Sequence, residues 1–194
     1  EDMIRNRNPQ RGLHILLYGA PGSGKTSFAH ALARQLGMIG YLIAQDVRND
    51  NTARTCSTPE FRFGALRLCD ERVDQANSLL VVDEADDLLR GRASGGGLFA
   101  LFGGGSMAMG DKGLLNSLLD EVKTPCIWIS NTSAEELDPS SRRRFDYSIR
   151  FNPQTANQRL AIWRNNVEKL GLKRLFPEKT LERLAERYEV SAGG

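Results

Sequence analysis

The chain has 194 residues, 40% of them apolar and 26% charged, so it can bury one substantial core and is ordinary in composition for a globular protein. A net charge of +2 gives no footprint for nucleic acid or an anionic membrane, and no apolar run approaches the length of a membrane span. Cys56, Cys69 and Cys126, with His14 and His30, have neither metal-ligand nor paired spacing, so they read as reduced thiols and no zinc site is expected.

Glu1–Arg11 is polar and rich in Asn and Arg, and reads as a linker. It has no signal-peptide character, and the first residue is Glu rather than Met; the expectation is a cytoplasmic piece of a longer chain. Leu13–Tyr18 (LHILLY) reads as a short buried strand. Gly19–Ser27 (GAPGSGKTS) follows, and Ser27–Leu36 carries Phe28, Ala29, Leu32 and Leu36 at helical spacing. Gly37 takes the glycine position past a helix end. Gly40–Ala44 (GYLIA) reads as a second strand and polar Gln45–Pro59 as a loop. Phe61–Val73 reads as a helix ending near Asn77.

Leu79–Val82 (LLVV) is a continuous apolar strand, as expected in a parallel sheet covered on both faces. It ends in Asp83–Glu84. Gly91–Gly113 holds two glycine triplets around Leu98–Phe102 and predicts a flexible insert, with a helix resuming over Leu114–Val122. Cys126–Ser130 (CIWIS) is a further buried strand, followed by Asn131; Arg142, Arg143 and Arg144 precede Phe145, and Tyr147–Phe151 is a last short strand. After Pro153 the pattern changes to amphipathic helices over Thr155–Leu170 and Pro177–Arg187 with no strand between them.

Strands alternating with helices predict an α/β fold, a P-loop-type parallel sheet with helices on both faces, followed by a partial helical lid. Residues 1–152 are expected to form the α/β subdomain, and residues 153–194 the start of the helical one. In such sheets ligands bind beyond the carboxyl ends of the strands. Gly19, Asp83–Glu84 and Asn131 all stand at such ends.

Gly19–Thr26 matches G-x-x-x-x-G-K-[ST] between a strand and a helix. Gly19, Pro21, Gly22, Ser23, Gly24, Lys25, Thr26 and Ser27 are therefore the candidate phosphate-binding residues. Glycines let successive amides curl around a phosphate, and the helix N-terminus adds unpaired donors and partial positive charge. Lys25 would reach the β- and γ-phosphates, and the Thr26 hydroxyl would help hold Mg²⁺. Asp83 suits the second Mg²⁺-holding position, and Glu84 could polarise an attacking water; otherwise the two acids cap the helix at Ala85–Leu89. Asp86 and Asp87 read as that helix's start or its solvated face. Asn131 could orient the water or touch the γ-phosphate without adding charge, or serve only as a turn residue. A guanidinium suits charge on a transferring phosphoryl, yet the spacing of Arg142–Arg144 does not say whose phosphate they meet.

In this order LLYGAPGSGKTSFA, LLVVDEADDLL, IWISNTSAEELDPSSRRRFDYSIRF and the helical tail resemble an AAA+ ATPase of the AAA family proper, from Leu13 onward. The resemblance implies that Gly19–Thr26 is Walker A, Asp83–Glu84 Walker B and Asn131 sensor 1, with ATP and Mg²⁺ as cofactors. LDPSSRRRFD is similar to the arginine-finger segment of ESCRT-disassembling and microtubule-severing ATPases, so Arg143 and Arg144 would reach a neighbouring subunit's nucleotide. It also implies a ring, usually a hexamer, that remodels protein substrates. Two departures stand out. The pore-loop aromatic pattern is not evident in Gln45–Pro59, with Phe61 and Phe63 the alternatives, and RYEVSAGG only begins the sensor 2 region. The glycine-rich insert is either a surface loop or a second pore loop. Adenine is implied by the resemblance and by the absence of an N-K-x-D motif. The rival readings are a regulatory ATP switch with little turnover and a DNA-transaction ATPase; an ABC-type subunit lacks its LSGGQ-like segment.

Overall fold

A computed structural model describes residues 2–5, 8, 11–43, 46–47, 55–56, 59–89 and 107–188. In chain order its elements are α1 (Asp2–Arg5), β1 (His14–Gly19), α2 (Lys25–Leu36), β2 (Ile39–Ile43), β3 (Asp46–Val47), β4 (Thr55–Cys56), α3 (Pro59–Arg72), β5 (Ser78–Val82), α4 (Asp86–Leu89), α5 (Met107–Glu121), β6 (Cys126–Ser130), α6 (Pro139–Arg142), β7 (Tyr147–Phe151), α7 (Ala156–Lys169) and α8 (Glu178–Arg187). Five of the strands form one parallel sheet in the order β2-β5-β6-β1-β7.

The apolar runs are continuous because successive side chains feed two different cores. On one face Leu16, Leu80, Val82, Cys126 and Trp128 pack with Phe63, Leu66, Leu88, Leu115, Leu118 and Phe145 from α3, α4, α5 and the turn after α6. On the other face Ile15, Leu17, Leu79, Val81, Ile127 and Ile129 pack with Ala29, Ala33 and Leu36 of α2. Register is set by pairs such as Leu16 with Trp128 and Val82 with Trp128. The strand order then brings the ends of β5, β6 and β1 side by side, with β6 in the middle.

Four expectations differ in detail. Asp2–Arg5, inside the stretch read as a linker, forms α1 with Ile4 buried in the core. Helix α5 begins at Met107 rather than Leu114, carrying through Gly110 and Gly113. Glycine in a helix interior costs about 1 kcal/mol against alanine, and burial of Leu115, Leu118 and Leu119 outweighs it. A small antiparallel ladder, β3 with β4, lies inside the stretch read as a loop; two-residue strands are too short to show alternation. Phe63 is core, whereas Phe61 is 56% exposed. The part of the Gly91–Gly113 insert before Met107, expected to be flexible, the pore-loop question for most of Gln45–Pro59, and the end of RYEVSAGG from Glu189 onward lie outside the described residues.

The last two helices pack on each other, with Val167 of α7 and Leu181 and Ala185 of α8 buried. Thr155 and Gln158 form a reciprocal cap at the start of α7. No helix among the described residues is long and apolar enough to cross a membrane.

Candidate functional site

The loop after β1 needs its glycines. Gly19 has φ of +139°, and a Cβ there would stand 2.2 Å from the Phe151 carbonyl oxygen on the neighbouring strand. Gly24 caps α2 in the left-handed region at φ of +96°, with no side chain taking the first-turn amides. A helix start without a side-chain cap keeps its donors available to an anion.

Lys25 opens α2 and is only 5% exposed. Its Nζ donates to the Gly19 and Ala20 carbonyls at 2.9 Å each and to Asn131 Oδ1 at 3.0 Å, with Ser23 Oγ at 3.5 Å. Burial lowers its pKa below the ordinary lysine value, opposed in part by the charges of Asp86 and Asp83. The next residue, Thr26, donates through Oγ1 to Asp83 Oδ2 at 3.0 Å. Two bonds thus join the loop after β1 to the ends of β6 and β5.

A cleft of about 270 Å³ is lined by loop residues between Pro21 and Ser27 together with Asp83, Glu84, Ile129 and Asn131. A larger one, about 460 Å³, lies at the opposite ends of β1 and β7 beside Arg11 and Asp146, away from this chemistry. The smaller cleft holds the phosphate-type loop and both acids, so it is the candidate site. Thr26 Oγ1 and Asp83 Oδ2 are spaced like adjacent oxygens around an octahedral Mg²⁺, which sit about 2.9 Å apart for bonds of 2.0–2.1 Å. No cluster of three or more His, Cys, Asp or Glu side chains suited to a metal occurs among the described residues. The donor set therefore fits an ion completed by phosphate and water oxygens, the usual habit of Mg²⁺.

Glu84 lies at the cleft with φ of +47°, the one non-glycine residue with positive φ among those described. Its amide donates to Asp83 Oδ1 at 2.9 Å. The arginines stand apart from this cleft. Arg144 donates through Nε to both Asp120 carboxylate oxygens, at 3.0 and 3.1 Å, and through Nη1 to the Ser140 carbonyl at 2.7 Å. Arg143 is exposed, and its guanidinium makes no hydrogen bond or ion pair among the described residues.

Two contributors, one half-buried and one fully buried, were not singled out from the sequence. Asp86, read there as a helix-start or surface acid, accepts from Ser130 Oγ at 2.8 Å, the Asn131 amide at 3.0 Å, and the Thr132 amide and hydroxyl at 2.9 and 2.7 Å. Burial pushes its pKa up, and these hydrogen bonds more than offset that, holding it below the usual carboxylate range. Asp86 thereby fixes the turn that presents Asn131. The second is Arg62 of α3, whose side chain is fully buried against the main chain of Asp83 and Glu84. A lone cation between Phe61 and Phe63 was its available signal.

The family model described as "ATPase family associated with various cellular activities (AAA)" matches residues 15–153. The replication factor C large subunit of Haloquadratum walsbyi is 28% identical over 174 residues, covering 89% of this chain and 30% of that protein. Human ATPase family AAA domain-containing protein 3C is 42% identical over 100 residues, 47% of this chain and 22% of the relative. The chain thus spans less than a third of the length of either. A RuvB mutant from Thermotoga maritima shares the fold with a TM-score of 0.59 at 17% identity, over 90% of this chain and 50% of that one.

Proposed function

The chain belongs to the ATPase family associated with various cellular activities, and from that membership we propose how its own residues carry the family's reaction. It is an ATP-binding, ATP-hydrolysing module. In our reading the loop Gly19, Pro21, Gly22, Ser23, Gly24 and Ser27 wraps the phosphates with main-chain donors, and Lys25 exchanges its carbonyl partners for the β- and γ-oxygens. Thr26 and Asp83 hold Mg²⁺, which when bound offsets charge on those oxygens. Glu84 accepts the proton of the attacking water, and Asn131 orients that water beside the γ-phosphate. Arg143 and Arg144 serve a neighbouring subunit's site, so the working form is a ring of copies. Residues 1–152 are the nucleotide-binding subdomain, and residues 153–194 belong to the helical lid.

The observation that carries this reading is the pair of bonds from Lys25 to Asn131 and from Thr26 to Asp83, which gather three strand ends around one cleft. Phosphate release in Mg²⁺ and ATP tests it alongside calorimetric ATP binding. Glu84→Gln should keep binding and lose release; release at the wild-type rate would remove Glu84 from the role of base.

For the work coupled to hydrolysis we propose remodelling of a protein substrate, supported by the likeness of the arginine segment to disassembling and severing ATPases. A DNA transaction is the second reading, favoured by the match over 89% of the chain to a protein named for replication. Duplex DNA binding that weakens steeply with salt would favour the second reading. No retention on DNA at about 50 mM salt favours the first.

A further inference from the structure

Among the described residues, Arg62 is a cation whose side chain is wholly shielded from water, yet it touches no cleft surface. Its Nη1 donates to the Glu84 carbonyl at 3.0 Å and to Asp87 Oδ1 at 2.8 Å, and its Nη2 donates to the Asp83 carbonyl. A buried ion pair is weak evidence for stability, since apolar packing of similar volume serves as well or better. The geometry of the acceptors is more informative than the pair.

The Asp83 and Glu84 carbonyls belong to the two peptide planes on either side of the Glu84 α-carbon. A planar guanidinium that holds both carbonyls fixes both planes, and with them φ and ψ of Glu84. That residue has the left-handed φ of +47°, which a glutamate does not adopt without support from its surroundings. The neighbouring bonds act in the same sense, Glu84 amide to Asp83 Oδ1 and Ala85 amide to the Ile129 carbonyl, each near 2.9 Å. The direction of the Glu84 Cα–Cβ bond into the cleft is set by this frame.

We propose that Arg62 is a positioning residue for hydrolysis, acting through Glu84 by clamping the carbonyls of Asp83 and Glu84. The proposal rests on the reading of Glu84 as the base. Lysine at this position keeps the charge near Asp87 but, as a point donor, cannot hold two carbonyls in one plane.

The test is a double-mutant cycle on the chain at a concentration where turnover per subunit no longer rises. Glu84→Gln alone is read first; wild-type turnover there would sink the base reading and this proposal with it. With that established, Arg62→Lys should lower kcat roughly 10–100-fold, the scale of an ångström-sized misplacement, while KM for ATP and calorimetric affinity stay within about threefold. In the Glu84→Gln background the same change should leave residual turnover within about twofold, because the group it positions is gone. An equal loss in both backgrounds, or an unchanged kcat in Arg62→Lys, overturns the proposal. Should Arg62→Lys not fold, Arg62→Gln, which supplies one amide donor group, takes its place in the same cycle and is judged by the same criteria.

Discussion

The Lys25 ammonium donates to the Asn131 amide oxygen across 3.0 Å, joining residues more than 100 positions apart. The contact exists because β6 lies between β5 and β1 in the sheet, so its end faces the loop directly. The two residues should separate in assay. Lys25→Ala removes a charged donor and should weaken Mg-ATP binding about 10–100-fold by calorimetry, the worth of one charge-assisted hydrogen bond. Asn131→Ala should leave affinity within about threefold and lower kcat roughly 100-fold, the scale for a polar group aimed at developing charge. Equal losses of affinity in both variants would mean that Asn131 only holds Lys25.

The central strands β5 and β6 were legible in the sequence because they are covered on both faces: LLVV and CIWIS have no polar interruption to blur their limits. The loop at Gly19 and the acids at Asp83 were legible because local order fixes them to strand ends. Arg62 and Asp86 were not. Their partners are 21 or more positions away on other elements, so their roles exist only once α3 packs against the end of β5 and α4 meets the end of β6. Residues Arg143 and Arg144 are adjacent in sequence, and nothing local tells them apart. The position of Asp120 on α5 does.

Glycine-to-alanine substitutions should have opposite signs at different positions. At Gly64 in α3 and Gly113 in α5 an added Cβ meets nothing within 4 Å, and both residues are helical. Each alanine should raise stability by about 0.5–1 kcal/mol through a more restricted unfolded chain, read as a higher urea midpoint at unchanged slope. At Gly19 the same methyl meets the Phe151 carbonyl in a left-handed backbone. Gly19→Ala should therefore destabilise by more than about 1 kcal/mol. A gain at Gly19 would contradict the described turn.

Buried His14 should make the fold acid-sensitive. Its ring is 2% exposed, and Nδ1 accepts from Trp128 Nε1 at 3.2 Å, which suits the neutral ring. Burial pulls its pKa from 6.5 to about 4, with nearby Asp146 opposing the shift. The sign follows from linkage: as pH falls below 6.5 the unfolded chain takes the proton and the folded one refuses it. Stability attributable to His14 is thus whole above about pH 6.5 and declines toward pH 4. Between pH 7.5 and 5 the loss should be about 2 kcal/mol, from 1.36 kcal/mol per pH unit. Urea unfolding of wild type and His14→Gln across this range isolates it, because other groups contribute equally to both. Parallel profiles would show that His14 protonates in the folded state without penalty.

The arginines give the last prediction. Arg144 is bound within its own chain, to the Asp120 carboxylate and the Ser140 carbonyl, while Arg143 is exposed and makes no such bond among the described residues. If both serve a neighbour, Arg144 must exchange its cis partners on assembly, and Arg143 need not. Arg143→Ala should then remove trans activation outright. Trans arginines in GTPases are worth about 10³–10⁵ in rate, so the loss should be large. Asp120→Asn should reproduce the defect of Arg144→Ala if that residue works only as a strut between α5 and α6; a normal rate in Asp120→Asn with a dead Arg144→Ala assigns Arg144 to the neighbour as well. Mixing separates trans from cis. Arg143→Ala subunits keep Glu84, and Glu84→Gln subunits keep Arg143. Neither alone should turn over ATP, yet in a mixed assembly some sites combine an intact Glu84 with a neighbour's intact Arg143. Recovered activity, rising with protein concentration, is the expected outcome. A mixture that is shown to assemble and stays inactive, or turnover per subunit that is constant down to clear monomer, would place Arg143 outside any shared site.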